Sequence, residues 1–118
     1  MTGRWIVAED PAEYQDQVAD ALVIRLSNRI HRKRELMGVL RKQLKFPGYF
    51  GGNWDALHDC LRDLSWVKDV PRVVLLHESL PFAADSRNRA VWMEILQSLT
   101  QDPPPGAPEV IVVVPSNT

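Results

Sequence analysis

Three short apolar runs alternate along the chain with segments whose apolar positions recur at helical spacing. The runs are Ala21–Leu26, ended by the turn pair Ser27-Asn28; Arg72–His77; and Val110–Val114, ended by Pro115. Nearly continuous apolar stretches of this length predict strands buried on both faces, and proline cannot extend such a ladder. Two helical patterns separate the first two runs. From Lys33 to Leu44, Leu36, Met37, Leu40 and Leu44 form one stripe, with Arg34, Arg41, Lys42 and Lys45 mainly to its sides. Gly38 costs that helix about 1 kcal/mol relative to alanine, and Pro47 requires it to have ended by Phe46. The second pattern runs from Asn53 to about Leu64. Leu57, Cys60, Leu61 and Leu64 gather on one side with Trp54 at its edge, whereas Asp55, His58, Asp59, Arg62 and Asp63 gather on the other. Further on, Leu80–Ala84 reads as a helical turn, and Asp85 or Ser86 can cap a helix to Thr100 with Val91, Trp92, Ile95, Leu96 and Leu99 as its apolar stripe. Asp102–Pro108 predicts a stiff extended loop. Residues 1–20 support a short strand or ordered arm around Trp5-Ile6-Val7 and a loose helical turn after Pro11.

Helices falling between fully apolar strands imply parallel pairing with right-handed crossovers. The expected fold is α/β, a three-stranded parallel sheet covered by three to four helices. A chain of 118 residues, 45% hydrophobic and 25% charged, suits one globular domain over residues 1–118, with residues 1–20 as an amino-terminal extension. The single cysteine, Cys60, cannot form an internal disulfide, and its place on the apolar helix side predicts a buried, unreactive thiol in a reducing compartment. The start of the chain has no apolar core of signal-peptide length, and no stretch approaches a membrane span, so a cytoplasmic protein without membrane contact is the expectation.

Charge changes this picture more than composition does. Arg29–Lys45 carries seven Lys/Arg against the single acid Glu35, a charge of +6, while the remaining residues hold seven basic and fourteen acidic side chains, a charge of −7. A polarised molecule of this kind bears on partners and association rates rather than on fold.

Enzyme chemistry finds little support in the pattern. Asp55, His58 and Asp59 could offer metal ligands from one helix side, but no distant Cys/His pair completes a set, so no metal or cofactor is expected. A buried Cys60 is a poor nucleophile. His77-Glu78 ends an apolar strand, where a satisfied strand-end pair is the simpler reading than a general acid or base. Gly48, Gly51 and Gly52 precede a helix start, as in a phosphate cradle. Asp55 in the first turn opposes that reading, since its carboxylate already occupies the favourable helix-end potential, and the P-loop lysine and hydroxyl are absent. The basic segment lacks the interleaved aromatics of single-strand binders. Instead Tyr49, Phe50, Trp54 and Trp66 surround the acidic helix. Aromatics beside carboxylates suit a protein-binding surface that selects a cationic partner.

The run Tyr49-Phe50-Gly51-Gly52-Asn53-Trp54-Asp55-Ala56-Leu57-His58-Asp59-Cys60-Leu61 resembles the signature of the barstar family of ribonuclease inhibitors, and weaker similarity in the order of elements extends from about Leu22 to Val114. That resemblance implies a protein without catalytic residues that plugs the active-site cleft of a basic, secreted, guanyl-preferring ribonuclease or RNase toxin. The complex would be 1:1 and the free inhibitor a monomer without direct nucleic-acid contact. By motif position Asp59 would enter the phosphate site, Asp55 would be the second acid, Tyr49 would pack at the cleft and Asn53 would cap the helix. Phe50, Gly51, His58, Arg62, Asp63 and Trp66 complete the expected partner-binding set. His58 stands where the best-known member has tryptophan, and Gly52 where it has an acid. Two other classes stay open: an interaction module with a non-nuclease partner, and an RNA-binding accessory protein using Arg29–Lys45.

Overall fold

The computed structural model describes residues 4–14, 20–46, 48, 52–67, 71–101, 106 and 108–116. In chain order its elements are β1 (Arg4–Ala8), α1 (Pro11–Tyr14), β2 (Ala21–Leu26), α2 (Lys33–Leu44), α3 (Trp54–Asp63), β3 (Arg72–His77), α4 (Ser86–Gln101) and β4 (Glu109–Pro115). The sheet runs β1-β4-β3-β2 and every neighbouring pair is parallel. The sheet thus has four strands rather than the three expected. The fourth is β1, which pairs with β4 from Arg4↔Ile111 to Ala8↔Pro115. Its apolar stretch is short and it lies at an edge, with Val7 60% exposed, so it lacks the two-sided apolar run that marks the central strands.

The strands β2, β3 and β4 are largely apolar because each face of the sheet is covered. On one face Ile24, Leu26, Val73, Leu75, Val110 and Val112 meet the buried sides of α2, α3 and α4. On the other, Val74, Leu76, Ile111 and Val113 form a smaller cluster with Ile6, Ala8, Val23 and Tyr14 of α1. Alternating residues of one strand therefore serve two cores. Arg72 and Glu109, paired in register at the start of β3 and β4, face each other at 3.5 Å.

Helix ends are closed by side chains and left-handed caps. At the start of α2 the Glu35 carboxylate accepts from the backbone N–H of Arg32 at 2.9 Å and of His31 at 3.3 Å. At its end Lys45 turns left-handed with φ 53° and bonds back to the Arg41 carbonyl. The Trp66 indole N–H donates to the Leu44 carbonyl at 2.8 Å, which meets one of the acceptors that a helix end leaves open. The segment Leu80–Ala84 is not the helical turn expected of it. It forms bends and a tight Phe82–Asp85 turn, held by Arg89, whose Nε and Nη2 donate to the Pro81 and Leu80 carbonyls at 3.1 Å each.

Candidate protein-binding site

Asn53 caps α3 as its residue type predicts. Its side-chain oxygen accepts from the Ala56 N–H at 2.8 Å. Gly52, with φ 75°, supplies the left-handed step that admits the chain to the helix, a conformation in which other residues are strained. Tyr49, Phe50 and Gly51 lie outside the described residues.

The first turn of α3 is fastened to the first turn of α4. Trp54 donates its indole N–H to Asn88 Oδ1 at 3.2 Å, and Asn88 Nδ2 donates to Asp85 Oδ2 at 2.8 Å. The Asn88 backbone N–H donates to Asp85 Oδ1 at 3.1 Å, and these bonds, the backbone one first, hold the Asp85 carboxyl below its ordinary pKa. Trp54 also meets Phe82 edge to face, ring centroids 6.0 Å apart. Phe82 is buried and left-handed at φ 63°. The anchor at this end of α3 is therefore aromatic and hydrogen-bonded together.

With its start fixed, α3 turns Leu57, Cys60 and Leu61 into the core and Asp55, Asp59 and Asp63 to solvent. Among the described residues neither Asp55 nor Asp59 forms an ion pair or a side-chain hydrogen bond. Asp63 accepts from the Ser65 hydroxyl at 3.1 Å. Three carboxylates at successive i, i+4 positions repel by a few tenths of a kcal/mol per pair, and only Asp55 sits where the helix dipole favours it. The stripe therefore lowers the stability of the free protein. The charges of Asp59 and Asp63 reach inward as well: burial first, and then these neighbours, raise the Cys60 thiol above its ordinary pKa, which keeps it protonated and inert as expected.

The other expected contact residues sit lower on the helix flank. His58 and Arg62 are half-buried, and His58 Nε2 lies 3.1 Å from the Ser98 hydroxyl of α4, so the imidazole bridges the two helices. Trp66 is half-buried too, its N–H spent on Leu44 and its ring edge to face with Phe46 at 5.9 Å. Between α3 and α4 a groove of about 330 Å³ is lined by Trp54, Asp55, His58, Val91, Glu94 and Ile95. Glu94 is exposed and is the only acid of α4, placing a second carboxylate across from Asp55. Sequence reasoning placed Val91 in the apolar stripe of α4 and did not single out Glu94, because only the packing of α4 against α3 brings the two to this surface.

His77 is no open acid or base. It is fully buried, with Nδ1 2.9 Å from the Val113 carbonyl and Nε2 accepting the Trp92 indole N–H at 3.1 Å. Both ring nitrogens are occupied, and burial lowers its pKa to about 4. No group of three or more His, Cys, Asp or Glu side chains that could hold a metal occurs among the described residues. No helix among them is long and apolar enough to cross a membrane.

The structure is thus a parallel α/β fold that displays a row of exposed carboxylates on α3 beside a groove edged by Trp54. The family model of barstar, the barnase inhibitor, matches residues 19–113, and the chain belongs to the barstar family. The match runs from just before β2 into β4 and leaves β1 and α1 outside it. The family is one of inhibitors rather than enzymes. No curated protein matches the chain.

Proposed function

We propose that this protein is a stoichiometric inhibitor of a cognate ribonuclease, and that it acts as one domain, monomeric when free, by occluding the enzyme's cationic cleft in a 1:1 complex. The observation that carries this reading is the exposed pair Asp55 and Asp59 on α3, two carboxylates with no ion pair or side-chain hydrogen bond among the described residues. Such a pair mimics successive phosphates of a nucleic-acid backbone and satisfies the Arg, Lys and His side chains that an RNA-cleaving site must present. Asp59 would occupy the phosphate position, with Asp55 beside it. The groove next to Asp55 would take a cationic side chain of the enzyme, its aliphatic stem against Trp54 and Val91 and its charge between Asp55 and Glu94. Tyr49, Phe50 and Gly51 of the preceding loop would close on the rim of the cleft. His58, Arg62 and Trp66, all half-buried, would border the contact while fixing α3 in place.

The partner this chemistry fits is a basic, secreted, guanyl-preferring ribonuclease or RNase toxin, with the inhibitor kept in the cytoplasm of the producing cell. Inhibition would need no turnover, and opposite charges would steer the encounter. Titration against a panel of basic ribonucleases tests this. We expect activity of the cognate enzyme to fall linearly to zero at one equivalent. Loss of activity only at large excess, or for none of the panel, would contradict the reading.

A further inference from the structure

The inhibitor reading leaves unused the most positive surface of the chain. Between Arg29 and Lys45 there are seven Lys/Arg and one acid, and Arg29, Arg32, Arg34, Arg41, Lys42 and Lys45 are exposed. Among the described residues no ion pair joins that one acid to Arg34, Lys42 or Lys45. Glu35 is turned back over the start of α2, where its carboxylate accepts the backbone N–H groups of Arg32 and His31 at 2.9 and 3.3 Å. Arg34, Gly38, Arg41 and Lys42 share one outward side of α2, and Lys45 continues it past the helix end. At the helical rise this places the charges along about 17 Å.

Gly38 supplies an independent observation. It lies in mid-helix, is exposed, and does not adopt a positive φ. A Cβ at that position would meet nothing within 4 Å. The fold has no need of glycine there, and the helix would be stronger without it. What Gly38 provides is a bare strip of helix surface between Arg34 and Lys42, over which a ligand can approach the backbone closely.

The chemistry of the surface narrows the ligand. No exposed position of α2 is apolar or aromatic, so a protein partner would find no apolar or aromatic side chain to bury there and only the arginines as anchors. No aromatic residue occurs from Arg29 to Lys45, so the bases of a single strand would find no stacking platform. Phosphates fixed in a double helix need neither kind of side chain, only cations at set spacing. The narrow major groove of A-form RNA brings two phosphate rows close together, which suits cations set on either side of a bare centre. We propose that the basic face of α2 docks double-helical RNA through its phosphates, without reading sequence. This surface is separate from the acidic face of α3, so the two readings stand or fall apart.

Fluorescence anisotropy with a labelled RNA duplex of about 20 base pairs, titrated with the full chain, tests the proposal. Affinity should fall on the order of a hundredfold between about 50 and about 200 mM salt, as about four phosphate contacts require. The triple variant Arg34→Gln, Lys42→Gln, Lys45→Gln should bind at least tenfold more weakly with a shallower salt slope, and should inhibit a ribonuclease as the wild type does. Gly38→Gln keeps every charge and favours the helix, so it should raise the melting temperature yet weaken RNA binding several-fold. The proposal is overturned if wild type shows no saturable binding at the lower salt. Unchanged affinity in the triple variant, equal affinity for a DNA duplex, or equal competition by polyglutamate would overturn it too.

Discussion

At the scale of single residues, the protein separates charges that must stay in water from polar groups that must not meet it. Asp55 and Asp59 are kept exposed, whereas His77 is sealed between Val113 and Trp92 with both nitrogens engaged. Burial lowers the His77 pKa from 6.5 to about 4, so the folded state keeps the ring neutral over a range in which the unfolded chain binds a proton. The stability this neutral ring contributes is whole above pH 6.5, declines as the pH falls from 6.5 to about 4, and levels off below that. A gap of that width is worth about 3 kcal/mol. Asp85 acts in the same direction at lower pH: its depressed carboxyl stabilises the fold above the ordinary carboxylate range and ceases to do so once acid protonates it. Urea midpoints measured from pH 7 to pH 4 should fall steeply for the wild type. His77→Gln, weaker at pH 7, should show a much flatter profile over the same range, and parallel profiles would remove His77 as the cause.

Elements are positioned by a few long-range bonds rather than by helix propensity. The Trp54–Asn88–Asp85 chain and the His58–Ser98 contact lock α3 onto α4, which fixes the direction in which the acidic row points. At the opposite edge Gln43 of α2 reaches over to β2. Its Oε1 accepts the Arg25 N–H and its Nε2 donates to the Arg25 carbonyl, both at 3.3 Å. A side-chain amide that occupies both backbone groups of an edge residue blocks the pairing of another strand there. Gln43→Ala should cost about 1 kcal/mol and increase self-association on light scattering at high concentration; a variant that stays monomeric would show that the edge is guarded otherwise. Sequence pattern revealed the elements that obey one period for several turns or strand residues: α2, α3, α4 and the strands β2, β3 and β4. It revealed less where shape depends on partners distant in the chain. Leu80–Ala84 is held as a loop by Arg89, and β1 becomes a strand because β4 offers it an edge.

For the molecule as a whole, the decisive property is the opposition of charge between Arg29–Lys45 and the rest of the chain, +6 against −7. A cationic ribonuclease approaching this field would be drawn to the acidic side and turned before contact. Stopped-flow association should therefore slow by at least about tenfold between low salt and about 0.5 M, with much less change in dissociation. An association rate indifferent to salt would mean that charge does not guide the encounter. The acidic face was readable from sequence because helical periodicity alone sorts Asp55, Asp59 and Asp63 to one side. Glu94 and the groove were not, since they exist only where α3 and α4 meet.

In the proposed complex Asp59 would stand at the centre of the contact and Asp63, a turn further along α3, at its margin. Inhibition titrations of the cognate ribonuclease by Asp59→Ala and Asp63→Ala separate the two. Asp59→Ala should lose about 2–5 kcal/mol of binding, a range to which barstar complexes themselves contributed, and Asp63→Ala less than about 1 kcal/mol. Equal losses from the two substitutions, or the larger loss at Asp63, would contradict this placement.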